Sequence, residues 1–275
     1  MSADFLKQMA LRSQERVAAA KLLCSEARLL AQARDSAAPP QLLPSEAGFD
    51  IIAELKLRSP AVGQLRTLDE DIGRRVRRYA TAGAIAVSVL TEPSEFQGEL
   101  AHLELTARAL MPVRIPAMRK DFLVDPYQVA EARANGAGGV LVILRMLTRP
   151  MLRALLDAAA EWGLFVLLEA FDEADIELAH ELIAAGGGPR LLVGVNCRDL
   201  VTLQVVPGRL EELAHFLPQG VLRVAESGVA TAADAGRART AGYDIALVGS
   251  ALMRARDPEE LLRQMLSAGR DEATF

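Results

Sequence analysis

Apolar runs of five to seven residues return eight times between residues 50 and 249, each separated from the next by a helix-length segment. They occupy 50–56, 85–90, 114–119, 139–144, 164–169, 191–196, 221–225 and 245–249. Parallel strands need a crossover of about a dozen residues or more, so this spacing suits strand–helix units rather than hairpins. The runs are apolar almost throughout, the pattern of strands covered on both faces. Helix starts lie between them. Asp125 precedes Pro126, an N-cap acid followed by proline at the first helical position. Thr148 and Asp172 cap later helices, Thr67 with Glu70 resembles a capping box, and Thr231 with Asp234 opens a further helix. Gly136, Gly163 and Gly186-Gly187-Gly188 close the helices that precede them.

An open doubly wound sheet is the competing arrangement. It would carry a glycine-rich dinucleotide turn after the first strand, and none is present. The chain therefore reads as α/β, a (βα)8 TIM barrel over 50–268 with an extra N-terminal helical segment and linker over 1–49, in one domain of 1–275. Residues 3–34 read as a single helix with Leu6, Met9, Ala10 and Val17 along one stripe, stopped by Pro39-Pro40. This segment is expected to cover the amino-terminal end of the barrel.

Composition narrows the partners. Half of the 275 residues are hydrophobic (51%), enough for a large core, and the net charge of −5 argues against a nucleic-acid surface while leaving room for a local basic pocket. Aromatic residues make up only 4%, too few for a base-stacking platform. Cys24 and Cys197 match no metal or redox spacing and suit a reducing compartment. Arg12, Glu15, Arg16 and Lys21 interrupt any apolar leader, and no run is long enough for a bilayer. The expectation is a cytoplasmic protein with no membrane or nucleic-acid partner, a monomer by default with a weak dimer left open.

The strand ends carry the chemistry. In Ile51-Ile52-Ala53-Glu54-Leu55-Lys56 a carboxylate and an amine stand two residues apart, on the same face of a strand. One such pair is ordinarily a strand-end ion pair. Here the pattern returns at Lys120, Glu169, Asn196, Glu226 and Ser227, which describes the mouth of a parallel barrel. Two lysines and three carboxylates facing one cavity would shift each other's proton affinities, as acid–base catalysis requires. Glu226-Ser227-Gly228 and Gly249-Ser250 follow the last two strands, where barrels often hold a phosphate. Glu92, Arg119 and Asp121 read instead as strand-end ion pairs, Cys197 as a buried inert thiol, and His102, His180 and His215 as helix residues without a catalytic role.

Six segments taken together resemble the indole-3-glycerol-phosphate synthase family. They are Ile52-Ala-Glu-Leu-Lys-Leu-Arg-Ser-Pro, Ser88-Val-Leu-Thr-Glu, Arg119-Lys-Asp-Phe-Leu-Val-Asp-Pro-Tyr-Gln, Gly194-Val-Asn-Cys-Arg-Asp-Leu, Ala225-Glu-Ser-Gly-Val and Leu247-Val-Gly-Ser-Ala-Leu-Met-Arg. The resemblance implies ring closure, decarboxylation and dehydration of 1-(2-carboxyphenylamino)-1-deoxyribulose 5-phosphate, with no metal or redox cofactor. It assigns the general acid of ring closure to Lys120 and an assisting role to Lys56. Glu54 and Glu169 match the acid and base of the later steps, in either order. Asn196 and Glu226 match substrate-orienting groups, and Arg198 a residue near the polar end. Ser59, Ser227, Gly228, Gly249 and Ser250 match the phosphate site, while Phe96 and Phe122 are candidates for the pocket around the anthranilate ring.

The chain departs from the family pattern at four places. Ala61-Val62-Gly63 replace Ser-Lys-Gly, so a loop lysine is missing; Phe171 stands for histidine, Cys197 for a second asparagine and Glu99 for serine. Two other readings compete. Another phosphosugar barrel enzyme, such as phosphoribosylanthranilate isomerase, would need a cysteine base in another arrangement, and the paired lysines argue against it. A non-catalytic ligand-binding paralogue would have no use for the full set of acids, bases and amides.

Overall fold

The computed structural model describes residues 2–66, 71–199 and 201–270. Eight parallel strands close into a barrel in sequence order: β1 (Asp50–Leu55), β2 (Ala86–Leu90), β3 (Ala117–Lys120), β4 (Gly139–Ile143), β5 (Phe165–Ala170), β6 (Leu191–Asn196), β7 (Leu222–Glu226) and β8 (Ile245–Val248). The last pairs with the first, Ile51 opposite Ala246 and Ala53 opposite Val248, so no edge is left. Alternation divides the core in two. Ile52, Ala86, Met118, Leu141, Leu167 and Ile245 fill the barrel interior, whereas Ile51, Val87, Val140, Val166 and Val193 face the surrounding helices. Every strand is thus buried on both faces, which is why its sequence reads apolar throughout.

Thr148, Asp172 and Thr231 each cap the helix expected of them, and Thr231 with Asp234 forms a complete capping box. The Thr67–Glu70 signal lies outside the described residues; the helix Ile72–Thr81 has Asp71 as its N-cap. The third strand starts three residues later than its apolar run. A 3-10 turn over Met111–Val113 and left-handed Arg114 carry the chain to Pro116 before pairing begins. The strand consequently reaches Lys120 itself.

The N-terminal segment differs from expectation in two ways. It is not one helix but two, α1 (Ser2–Leu23) and α2 (Glu26–Asp35), because Ser25 is extended and its side chain accepts from the Arg28 amide. It also does not cover the amino-terminal end of the barrel. Helix α1 lies across the carboxyl end. Leu6 and Met9 are buried against Phe122 and Phe171, the Ser13 hydroxyl donates to the Phe122 carbonyl, and Arg16 pairs with Asp121 at 2.7 Å. The amino end is reached by the linker, where Leu42 is buried in the barrel-interior cluster and its carbonyl accepts from Arg190. The stripe reported that α1 packs; it held no information about which end receives it. Among the described residues no helix is long and apolar enough to cross a membrane.

Candidate active site

The period-two rule places Ile52, Glu54 and Lys56 on one face of the β1 ribbon, and Glu54 indeed meets Lys56 at 2.5 Å inside the barrel mouth. Lys120 ends β3 and reaches across the barrel to Glu169 on β5 (3.6 Å) and Glu226 on β7 (3.3 Å). The Asn196 amide on β6 donates to Glu169, and its carbonyl oxygen accepts from the Arg198 backbone N–H at 3.0 Å. The three carboxylates are buried, each no more than 3% exposed. Two glycines make this crowding possible. A Cβ on Gly194 would lie 2.2 Å from Glu226 Oε1, and one on Gly249 would lie 2.1 Å from Glu54 Oε1.

These groups line one cavity of about 540 Å³ at the carboxyl ends of the strands. All fourteen side chains and backbone positions singled out from the sequence border it: the six acid, base and amide groups, with Ser59, Arg198, Ser227, Gly228, Gly249, Ser250, Phe96 and Phe122. The ring of Phe122 stands 6.3 Å from Phe96 and meets Phe5 edge-on at 6.0 Å. Past β7 the chain turns through two consecutive left-handed residues, Ser227 (φ 65°) and Gly228 (φ 76°). For a serine this costs on the order of 1–3 kcal/mol, strain of the kind found at ligand sites. Short helices at Pro93–Phe96 and Ser250–Arg254, and a hairpin pairing Arg58–Ser59 with Gly63–Gln64, complete the rim. Pro60, Ala61 and Val62 of that hairpin enter the cavity where the family commonly carries a lysine.

Phe5, Leu6 and the loop residues Leu203, Gln204 and Val205 border the cavity without having been singled out. Leu6 belonged to the helical stripe, but Phe5 carried no signal, since only the docking of α1 brings it to the mouth. Glu92 is a correction. It forms no ion pair among the described residues but caps Pro93–Phe96, accepting from three amides. Arg119 and Asp121 do pair, at 3.1 Å, and with Arg16 this holds the Asp121 carboxyl below the usual range despite its burial. The Cys197 thiol is buried and pushed up to about 11 by desolvation. Phe171 packs in the barrel interior under the Arg145 guanidinium, and Glu99 makes no side-chain capping bond to Leu100–Leu110.

The electrostatics follow from burial. Desolvation alone would lower the proton affinity of Lys120, but Glu169, Glu226 and Glu54 outweigh it and hold that affinity above that of a free lysine. Glu226 moves the opposite way to an ordinary paired carboxylate. Burial and the Glu169 charge push it up to about 8, against the pull of Lys120. Its Oε1 is buried without a donor, which also disfavours the ionised form. The sign for stability is then clear: between about 4.5 and about 8 the folded chain keeps a proton that the unfolded chain releases, so stability falls as pH rises through that window. Urea midpoints should decline across it in the parent and decline less in Glu226→Gln; parallel curves would contradict this.

Barrel topology and a mouth built of paired lysines and carboxylates define a (βα)8 barrel with a buried cluster of titratable groups in its cavity. Residues 6–265 match the family described as indole-3-glycerol phosphate synthase. Proteins of that name from a Parafrankia species (44% identity over 82% of this chain and 80% of the relative) and Koribacter versatilis (42%, 81% and 82%) are similar to it. So is one from Mycobacterium avium, 39% identical over 92% of this chain and 90% of the relative. The chain belongs to the indole-3-glycerol phosphate synthase family, whose members are carboxy-lyases of tryptophan biosynthesis. Solved structures of 3-hexulose-6-phosphate synthase from Salmonella typhimurium (TM-score 0.62, covering 80% of this chain and 98% of that one) and orotidine 5'-phosphate decarboxylase from Pyrococcus horikoshii (0.59, 80% and 99%) share the fold at 15% identity.

Proposed function

We propose that the cavity converts 1-(2-carboxyphenylamino)-1-deoxyribulose 5-phosphate to indole-3-glycerol phosphate, with Lys120 as the proton donor of ring closure. The observation that carries this is the position of Lys120 in the mouth, between Glu169 at 3.6 Å and Glu226 at 3.3 Å, with its proton affinity raised above that of a free lysine, Glu169 first among the causes. In the first step the anthranilate ring carbon attacks the ribulose carbonyl, a C–C bond forms, and the carbonyl oxygen takes a proton from Lys120. The ring carboxylate then leaves as carbon dioxide, and its bonding electrons restore aromaticity. Finally the new hydroxyl leaves as water with a proton from one carboxylic acid, while a base removes the proton that completes the indole. Glu169 and Glu54 serve these last transfers. Glu226, carrying a proton near neutrality and 3.3 Å from Lys120, restores the ammonium after ring closure. Asn196 orients Glu169, and Lys56 tunes Glu54.

Substrate binding divides by chemistry. The phosphate is held by Ser59, Arg198 and the backbone of Ser227, Gly228, Gly249 and Ser250, and the anthranilate ring by Phe96, Phe122 and Phe5. Phe5→Ala should raise KM up to about tenfold with kcat nearly unchanged, since an aromatic pair contributes about 0.5–1.5 kcal/mol. A loss of kcat alone would remove Phe5 from the ring pocket. The reaction itself is tested by adding the substrate to purified protein and following indole fluorescence, with and without chelator. Fluorescence should appear equally in both; none in either sinks the reading.

A further inference from the structure

A second cavity of about 600 Å³ opens beside the first, between α1 and the segments that follow β4, β5 and β6. Leu6, Phe171 and Arg198 border both spaces, so the two share a wall. The reaction sequence leaves this annex unused. Its wall carries four cations, Lys7, Arg145, Arg198 and Arg209, against two carboxylates, Asp172 and Asp199. Both carboxylates are already engaged. Asp172 contacts Arg145 and caps Glu173–Ala184, while Asp199 accepts from the Val201 and Thr202 amides at 2.9 and 2.7 Å. Asp175, at 2.7 Å, adds a second acid to Arg145.

With Asp175 counted, four cations face three carboxylates, so the wall keeps a surplus of one positive charge. Among the described residues Lys7, Arg198 and Arg209 form no ion pair. The two guanidiniums bind backbone carbonyls, Arg198 that of Leu203 and Arg209 that of Arg198 at 3.3 Å, and keep their other N–H donors. Lys7 is exposed. The chain as a whole is acidic, at −5, and would repel a ligand bearing both a phosphate and a carboxylate. A concave patch of opposite sign, walled by apolar side chains, concentrates such a ligand and raises its association rate by roughly 10- to 1000-fold.

We propose that the annex is the docking subsite where the anionic substrate first lands, its phosphate met by Lys7 and Arg209 and passed inward by Arg198, which borders both cavities. This rests on the reading of the main cavity as the site of a phosphorylated substrate. The test is stopped-flow association of a reduced, unreactive substrate analogue, followed by its anthranilate fluorescence, at several ionic strengths. Lys7→Glu should slow association about tenfold at low salt, Arg209→Gln less, and the gap should close as salt is added, with kcat at saturation unchanged. Lys21→Glu makes the same charge change about 20 Å further along α1, where Lys21 pairs with Asp125, and should leave the rate alone. Equal rates for Lys7→Glu and the parent, or equal slowing by Lys7→Glu and Lys21→Glu, would overturn the proposal. A dephosphorylated analogue separates the two levels. If the parent binds it as tightly as the phosphorylated one, the phosphate reading has failed; if it discriminates but Lys7→Glu associates normally, only the annex has.

Discussion

Lys120→Ala should remove most of kcat, by a factor on the order of a hundred to a thousand, while an unreactive reduced analogue still binds. Ring closure places charge on the former carbonyl oxygen, and losing one preorganised donor to such an oxygen typically costs on the order of 3–4 kcal/mol. Lys120 is suited to that role because the Glu169 carboxylate at 3.6 Å already balances its charge while Glu226 stands 3.3 Å away, so little rearrangement is needed when the oxygen becomes negative. Its removal also leaves two buried carboxylates without their shared cation, so Lys120→Met is a useful companion that keeps the volume. Single-turnover traces resolve ring closure from dehydration. A variant that closes the ring at the parent rate and stalls afterwards would move the general acid to Lys56.

Gly249→Ala should lower kcat/KM about a hundredfold although it touches no titratable group by name. The backbone there has φ −119°, outside the left-handed region, so the effect is chiefly steric. Its Cβ would lie 2.1 Å from Glu54 Oε1 and 3.0 Å from Lys56 Nζ. Glu54 is 3% exposed and borders the cavity, so either its carboxylate turns into that space and leaves Lys56, or the turn after β8 shifts. A displacement of about 1 Å at a reacting group can cost a hundredfold in rate. The same substitution in a Glu54→Ala background should cost little more, since the clash is gone. Additive losses would show that Gly249 acts through the phosphate turn instead, and an unfolded variant would show up as a lowered thermal midpoint.

The barrel was legible because local rules and global fold agree. Both faces of each strand are buried, so strands wrote themselves as apolar runs, and Asp125, Thr148, Asp172 and Thr231 marked helix starts through short-range capping bonds. The central site was legible for the same reason. Strand ends place their residues at one rim by topology alone, so Glu54, Lys120, Glu169, Asn196 and Glu226 could be gathered before any distance was known. Glu92 misled because a strand-end carboxylate and the cap of a four-residue helix look alike in sequence.

What the chain determines by itself is therefore its alternation of strands and helices, its closure into a barrel and the residue types at the mouth, all set by periodicities of a few residues. Tertiary structure alone decided that α1 crosses the carboxyl end, that Phe5 joins Phe122, that Gly194 and Gly249 clear space for buried carboxylates, and that Lys7, Arg145, Arg198 and Arg209 gather in an annex next door. These are contacts between segments up to two hundred residues apart. Their energies depend on which surfaces meet, and a helical stripe or a lone glycine specifies that a surface is there without specifying its partner.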